Sequence, residues 1–115
     1  MSDVSGVEIQ EIVVGEGVEA QKGALCFCHY EGHLEDGTLF DSSYKHGRPF
    51  EFVVGSKKVI QGWSLGILGM REGGKRKLFI PAHLAYAERQ VGAHITPHSN
   101  LIFTVELFEV RPRES

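Results

Sequence analysis

Residues 59–67 read Val-Ile-Gln-Gly-Trp-Ser-Leu-Gly-Ile, and only here do apolar residues recur at helical spacing. Val59, Ile60, Trp63 and Ile67 fall three or four apart, which places them on one face of a short helix. Ser56 stands upstream as a candidate cap. Gly62, Gly66 and Gly69 make the segment a poor helix by intrinsic propensity. It must therefore be held by burying its apolar face on something larger.

The rest of the chain supplies that partner, because its patterning has period two. Residues 7–14 are β-rich and stop at Gly15-Glu16-Gly17. In 24–30, Cys26, Cys28 and Tyr30 share one face, and Leu25, Phe27 and His29 the other. Glu35-Asp36-Gly37-Thr38 is a turn signal, since Asp-Gly readily supplies the positive φ of a tight hairpin. Residues 50–54 alternate again, and 75–80 follow Gly73-Gly74 with Leu78 and Ile80 on one side. Residues 101–110 are the clearest strand, with Leu101, Phe103, Val105 and Leu107 in line. The class is α+β, a mostly antiparallel sheet of five to six strands with one short helix across a face.

At 115 residues and 42% hydrophobic, the chain reads as a single domain, 1–115, with a core of about 7–110 and loose polar ends at 1–5 and 111–115. Twelve basic against fifteen acidic residues, a net charge of −3, argue against nucleic acid as the main partner. The one basic cluster, Lys75-Arg76-Lys77, reads as a solvated strand edge. No apolar run approaches the roughly 20 residues of a membrane span. The first six residues show no signal peptide, so a cytoplasmic location is expected. Cys26 and Cys28, two apart on a strand, have the wrong geometry for a mutual disulfide and read as reduced, buried thiols. The six histidines have no regular spacing, and no metal or other cofactor is expected.

Two motifs invite enzymatic readings. Gly62-Trp63-Ser64-Leu65-Gly66 spells G-x-S-x-G, but a nucleophile elbow needs a strand before the serine, and Ser64 lies inside the expected helix. Gly69 to Lys75 matches G-x-x-x-x-G-K, but Arg76 stands where a phosphate loop needs Ser or Thr, and a strand follows in place of a helix. A tight turn at Gly73-Gly74 accounts for the second match.

Longer matches carry more. They are His29-Tyr30-Glu31-Gly32, Leu34 through Ser43 with its Phe40-Asp41-Ser42-Ser43, Pro49-Phe50-Glu51-Phe52, and Val59-Ile60-Gln61-Gly62-Trp63. Gly73 through Pro81, Leu84-Ala85-Tyr86, Ile95-Thr96-Pro97-His98 and Leu101 through Leu107 follow. In this order and spacing, across residues 7–110, the chain resembles the FK506-binding-protein type of peptidyl-prolyl cis-trans isomerase. The resemblance implies a curled sheet wrapped on one helix, with a shallow apolar pocket between them. It maps the pocket to Tyr30, Phe40, Asp41, Phe50, Val59, Ile60, Trp63, Tyr86, Ile95 and Phe103. Period and helical spacing independently turn Tyr30, Phe103 and Trp63 inward.

The implied chemistry needs no nucleophile. Rotation about an X-Pro amide costs about 18–20 kcal/mol because resonance flattens and polarises the bond. An apolar pocket gives the planar form less help than water does, and binding the twisted form better is sufficient. The expected binding residues are Trp63 as floor, Phe50, Val59 and Phe103 as walls, the Ile60 N–H as a donor to a flanking carbonyl, and Ile95. The expected catalytic set is Tyr30, Phe40, Asp41, Tyr86 and Phe103, with the Tyr86 hydroxyl as donor and Asp41 orienting Tyr30. Expected partners are proline-containing peptides or unfolded chains, and macrolides such as FK506 or rapamycin, met by a monomer. A proline- or macrolide-binding module with little turnover is the alternative. Two features depart from the family. His46 replaces an arginine near Asp41, so activity is expected to vary between about pH 5.5 and 7.5. Residues 87–94 lack the glycine after Tyr86 and are more charged, so residue preference before proline and macrolide affinity do not carry over.

Overall fold

A computed structural model describes residues 2–4, 6–85 and 99–113. The elements are β1 (Ser2–Val4), β2 (Val7–Val13), β3 (Leu25–Leu34), β4 (Leu39–Ser42), β5 (Phe50–Val53), α1 (Gln61–Ile67), β6 (Lys75–Ile80) and β7 (Leu101–Arg111). All pairings are antiparallel, in the order β1-β2-β6-β7-β3-β4, with β5 also on β3. The α+β class stands, and the long strands match the period-two segments.

The free edge of β3 is shared. Leu25–Cys28 pairs with β5, and Glu31–His33 pairs with β4. Between those two short strands the chain leaves the sheet in a 3-10 turn, Ser43–His46, and returns at Phe50. This excursion brings both Asp41 and Phe50 against Tyr30. The β3–β4 hairpin is closed by the expected turn, with Gly37 at φ 93° and the Leu34 N–H donating to the Thr38 carbonyl at 2.9 Å.

The core is the inward face of β3, β6 and β7 against α1. Leu78, Ile80, Leu101, Val105, Leu107 and Ile67 have no exposed surface. The weak helix is held by proximity. A methyl built on Gly62 would crowd Ile80, with Cδ1 at 2.9 Å, Cγ1 at 3.0 Å and Cγ2 nearer still. One built on Gly66 would meet Leu78 Cδ1 at 2.7 Å. These glycines lower helix propensity but let the backbone of α1 lie directly on β6, which buries Trp63 and Ile67 beside them.

Four local expectations are corrected. Ser56 does not cap α1: its Oγ accepts from the Lys58 N–H at 3.0 Å, and the helix begins five residues later after Ile60. Lys75-Arg76-Lys77 is no sheet edge, because β6 lies between β2 and β7. Arg76 continues the inward row of Leu78 and Ile80. Its guanidinium donates to the Gly66 and Leu68 carbonyls at 2.9 and 3.1 Å and pairs with Glu11, satisfying the C-terminal end of α1. At the N-terminus, Ser2–Val4 pairs with Val7–Ile9 and adds a strand, making seven. Edge pairing uses backbone groups and leaves no apolar signature. At the other end β7 runs on to Arg111, which crosses Leu25 in register.

Candidate functional site

The convergence begins on β3. Tyr30 points inward with Cys26 and Cys28, and pairs in register with Val105 of β7. Two residues on, Gly32 lies opposite both Phe103 and Asp41. A side chain there would strike Phe40 Cζ at 2.7 Å and Phe103 Cε1 at 2.8 Å. Its absence lets those two rings meet edge to face across the strand, with centroids 5.6 Å apart and planes at 83°.

Trp63 enters from the other side on α1. Tyr30, Phe50, Phe52 and Phe103 surround it at centroid distances of 5.2, 5.5, 5.4 and 5.3 Å, all near perpendicular. Perpendicular packing points ring edges at ring faces, the favourable quadrupole arrangement. The cluster therefore fixes ring orientation as well as position.

A pocket of about 500 Å³ opens on this cluster. Tyr30, Trp63 and Phe103, at most 8% exposed, form its base. The half-buried Phe40, Phe50, Val59 and Ile60 form its walls, and Asp41 stands at its side. Eight of the ten residues expected at the site thus line one pocket. Tyr86 and Ile95 lie outside the described residues. Four further residues share the lining: Lys57, Lys58, Gln61 and Ala85. Phe52, also absent from the expected set, braces Trp63 from β5; its place two residues after Phe50 on an alternating strand was the available signal.

The electrostatics centre on Asp41. Its Oδ2 accepts from the Tyr30 hydroxyl at 2.7 Å, and its Oδ1 from the Ser42 N–H at 2.8 Å. His46 Nε2 lies 3.3 Å from Oδ1, so the residue in place of the family's arginine does reach the carboxylate. That pair is 60% and 39% exposed, and at such exposure it contributes little. Burial is the largest influence on the carboxyl and opposes ionisation. The bonds from Tyr30, Ser42 and His46 together outweigh it and hold Asp41 below its usual value. A carboxyl depressed on folding adds stability above its unfolded value, about 3.9, and that stability is lost as pH falls through the folded value. Asp41→Asn is therefore expected to flatten the acid limb of stability below about pH 4, measured by denaturant unfolding. Tyr30→Phe is expected to raise the Asp41 titration midpoint, read by carboxyl NMR.

The two tempting motifs resolve into structure. Ser64 Oγ accepts from the Gly55 N–H at 2.9 Å, tying the incoming loop to the helix, and Ser64 is not among the pocket-lining residues. The G-x-x-x-x-G-K stretch is the turn into β6, where the Gly73 N–H donates to the Leu107 carbonyl at 2.7 Å.

Comparison with known proteins agrees with this geometry. Residues 16–108 match the family described as FKBP-type peptidyl-prolyl cis-trans isomerase. The chain is 53% identical over 92 residues to FK506-binding protein 2 of Yarrowia lipolytica, covering 80% of this chain and 64% of that protein. It is 46% identical over 107 residues to the FK506-binding protein of Neisseria meningitidis serogroup B, covering 93% of this chain and 98% of that one. The crystal structure of AtFKBP13 superimposes with a TM-score of 0.86 at 44% identity, covering 94% of this chain and 96% of that one.

Proposed function

This chain belongs to the FKBP-type peptidyl-prolyl cis-trans isomerase family and is an isomerase of that kind; from this premise we propose how its pocket acts, on what, and where. The observation that carries the reading is the aromatic base formed by Tyr30, Trp63 and Phe103, open to a segment the size of a prolyl residue and its neighbours.

The prolyl ring seats on Trp63 between Phe50, Val59 and Phe103. Apolar walls strip water from the X-Pro amide, removing solvent support from its polarised, planar form. The twisted form, with its resonance broken, loses less on entry. Each 1.4 kcal/mol of that difference lowers the barrier by about a factor of ten in rate. The Tyr30 hydroxyl is engaged with Asp41, so Tyr30 presents a ring edge to the substrate rather than a free donor. The positive edges of Tyr30, Phe40 and Phe103 face the rotated carbonyl oxygen. Asp41 acts as a positioning residue, holding the Tyr30 ring against rotation. Ile60, extended at φ −60° and ψ 146° just before α1, presents its N–H to a carbonyl flanking the proline. Tyr86 and Ile95 complete the site in this proposal.

The substrates are exposed X-Pro segments of peptides and folding chains. Macrolides of the FK506 class occupy the same pocket, as the names of the Yarrowia and Neisseria relatives suggest. In this proposal the protein works as a monomer. Its compartment is reducing, such as the cytoplasm. Both thiols are free and fully buried, with burial pushing Cys26 up to about 11 and Cys28 higher still, which suits inert cysteines.

A protease-coupled assay on a proline tetrapeptide tests the reading. The protein should accelerate cis-to-trans conversion, and Ser64→Ala should retain that acceleration while losing about 1 kcal/mol of stability. Tight peptide binding with no acceleration would leave a binding module in place of an enzyme.

A further inference from the structure

The pocket carries a charge pattern that the isomerisation does not use. Lys57 and Lys58 stand in the loop between β5 and α1, line the pocket, and are exposed. Neither makes an ion pair among the described residues. Beyond a wall shared through Tyr30 and Phe50 lies a second cavity of about 380 Å³, whose lining includes the exposed His46 and Arg48. Asp41 is the one acid among the described residues lining either cavity, and its carboxylate is engaged by Tyr30, Ser42 and His46. Glu51 is exposed and alternates with Phe50 and Phe52, so it leaves β5 on the opposite face.

A chain of net charge −3 therefore gathers Lys57, Lys58 and Arg48, none of them in an ion pair among the described residues, around its pocket and the adjoining cavity. Lysines elsewhere on a surface do no more than keep it solvated. At the lip of a low-dielectric cleft they focus their field on whatever enters. The X-Pro amide is neutral, and its twisting has no use for cations. With the prolyl ring seated on Trp63 as proposed above, the residues flanking the proline leave past a lining that includes Lys57 and Lys58.

We propose that Lys57 and Lys58 are specificity determinants, selecting X-Pro segments that carry an acidic side chain within two residues of the proline. This rests on the isomerase reading of the same pocket. Two lysines at roughly 8 Å in a water-like dielectric, attracting Glu and repelling Lys, yield a preference of about fivefold for Glu over Gln and about thirtyfold for Glu over Lys before screening.

The test is a peptide panel with Glu, Gln or Lys placed in turn at two positions before and two after the proline. At low ionic strength at least one position should give a kcat/KM ratio of Glu to Lys of about ten to thirty. The ratio should fall toward one near 0.5 M salt, where the screening length is roughly 4 Å. The charge-reversed Lys57→Glu/Lys58→Glu protein should invert it, with circular dichroism confirming the fold. A ratio within about twofold of one at every position overturns the inference, as does a preference that survives charge reversal. Turnover of the Gln peptides shows in the same experiment whether the isomerase reading stands. Should no peptide be turned over, that reading fails, and quenching of Trp63, the chain's single tryptophan, decides the preference by affinity alone.

Discussion

Trp63→Ala is expected to reduce kcat/KM for proline-peptide isomerisation by about a hundredfold and stability by about 3–5 kcal/mol. Trp63 is 4% exposed, and four rings rest against it at 5.2 to 5.5 Å. Removing the indole deletes the base of the pocket and frees Tyr30, Phe50 and Phe103 to rotate, so the damage to turnover goes beyond the lost contact. Trp63→Phe separates the two effects. A smaller ring keeps an apolar floor and most of the edge-to-face packing, so stability should fall by about half as much and kcat/KM by about tenfold. Chemical denaturation followed by circular dichroism gives the stability, and the coupled peptide assay gives the rate, both well below the unfolding midpoint. A folded Trp63→Ala protein with undiminished turnover would remove Trp63 from the mechanism.

Tyr30, Phe103 and Trp63 were legible because burial obeys periodicity: two on strands facing in, one on the apolar stripe of a helix. Phe40, Asp41 and Phe50 were reached only through family resemblance. Phe40 and Asp41 sit on a four-residue strand that runs into the 3-10 turn, where alternation is too brief to assign a face, and Phe50 opens a strand that alternates but whose pocket end is set by its pairing with β3. Lys57 and Lys58 carried no local signal, since a loop residue lines a cavity by virtue of where the flanking strand and helix place it. Arg76 reads as an edge residue only while its charge is weighed without its register. It occupies an inward position of β6, and what makes that tolerable is a set of helix-terminal carbonyls visible only in three dimensions. The glycines of α1 were read as a weakness for the same reason, since propensity describes an isolated helix and this one lies in contact with β6.

That contact gives the second large effect. On propensity alone, Gly62→Ala should stabilise α1 by up to about 1 kcal/mol. The structure predicts the opposite sign, a net loss of about 1–3 kcal/mol, because the new methyl meets Ile80 at Cδ1, Cγ1 and Cγ2 in a packed core. The helix must lift from β6 to admit it. Trp63 is the next residue, so the indole should shift against Tyr30 and Phe103, and kcat/KM should fall even where the protein remains folded. Ile80→Ala alone should cost about 2–5 kcal/mol as a cavity. In the double variant the added methyl enters that cavity, so the combined loss should be smaller than the sum by about 1 kcal/mol or more, and part of the turnover should return. Denaturant midpoints and coupled-assay rates for the two single variants and the double one provide the cycle. Additive losses, or a Gly62→Ala protein more stable than the parent, would mean that backbone approach is not what seats the helix, and the position of the indole would need another cause.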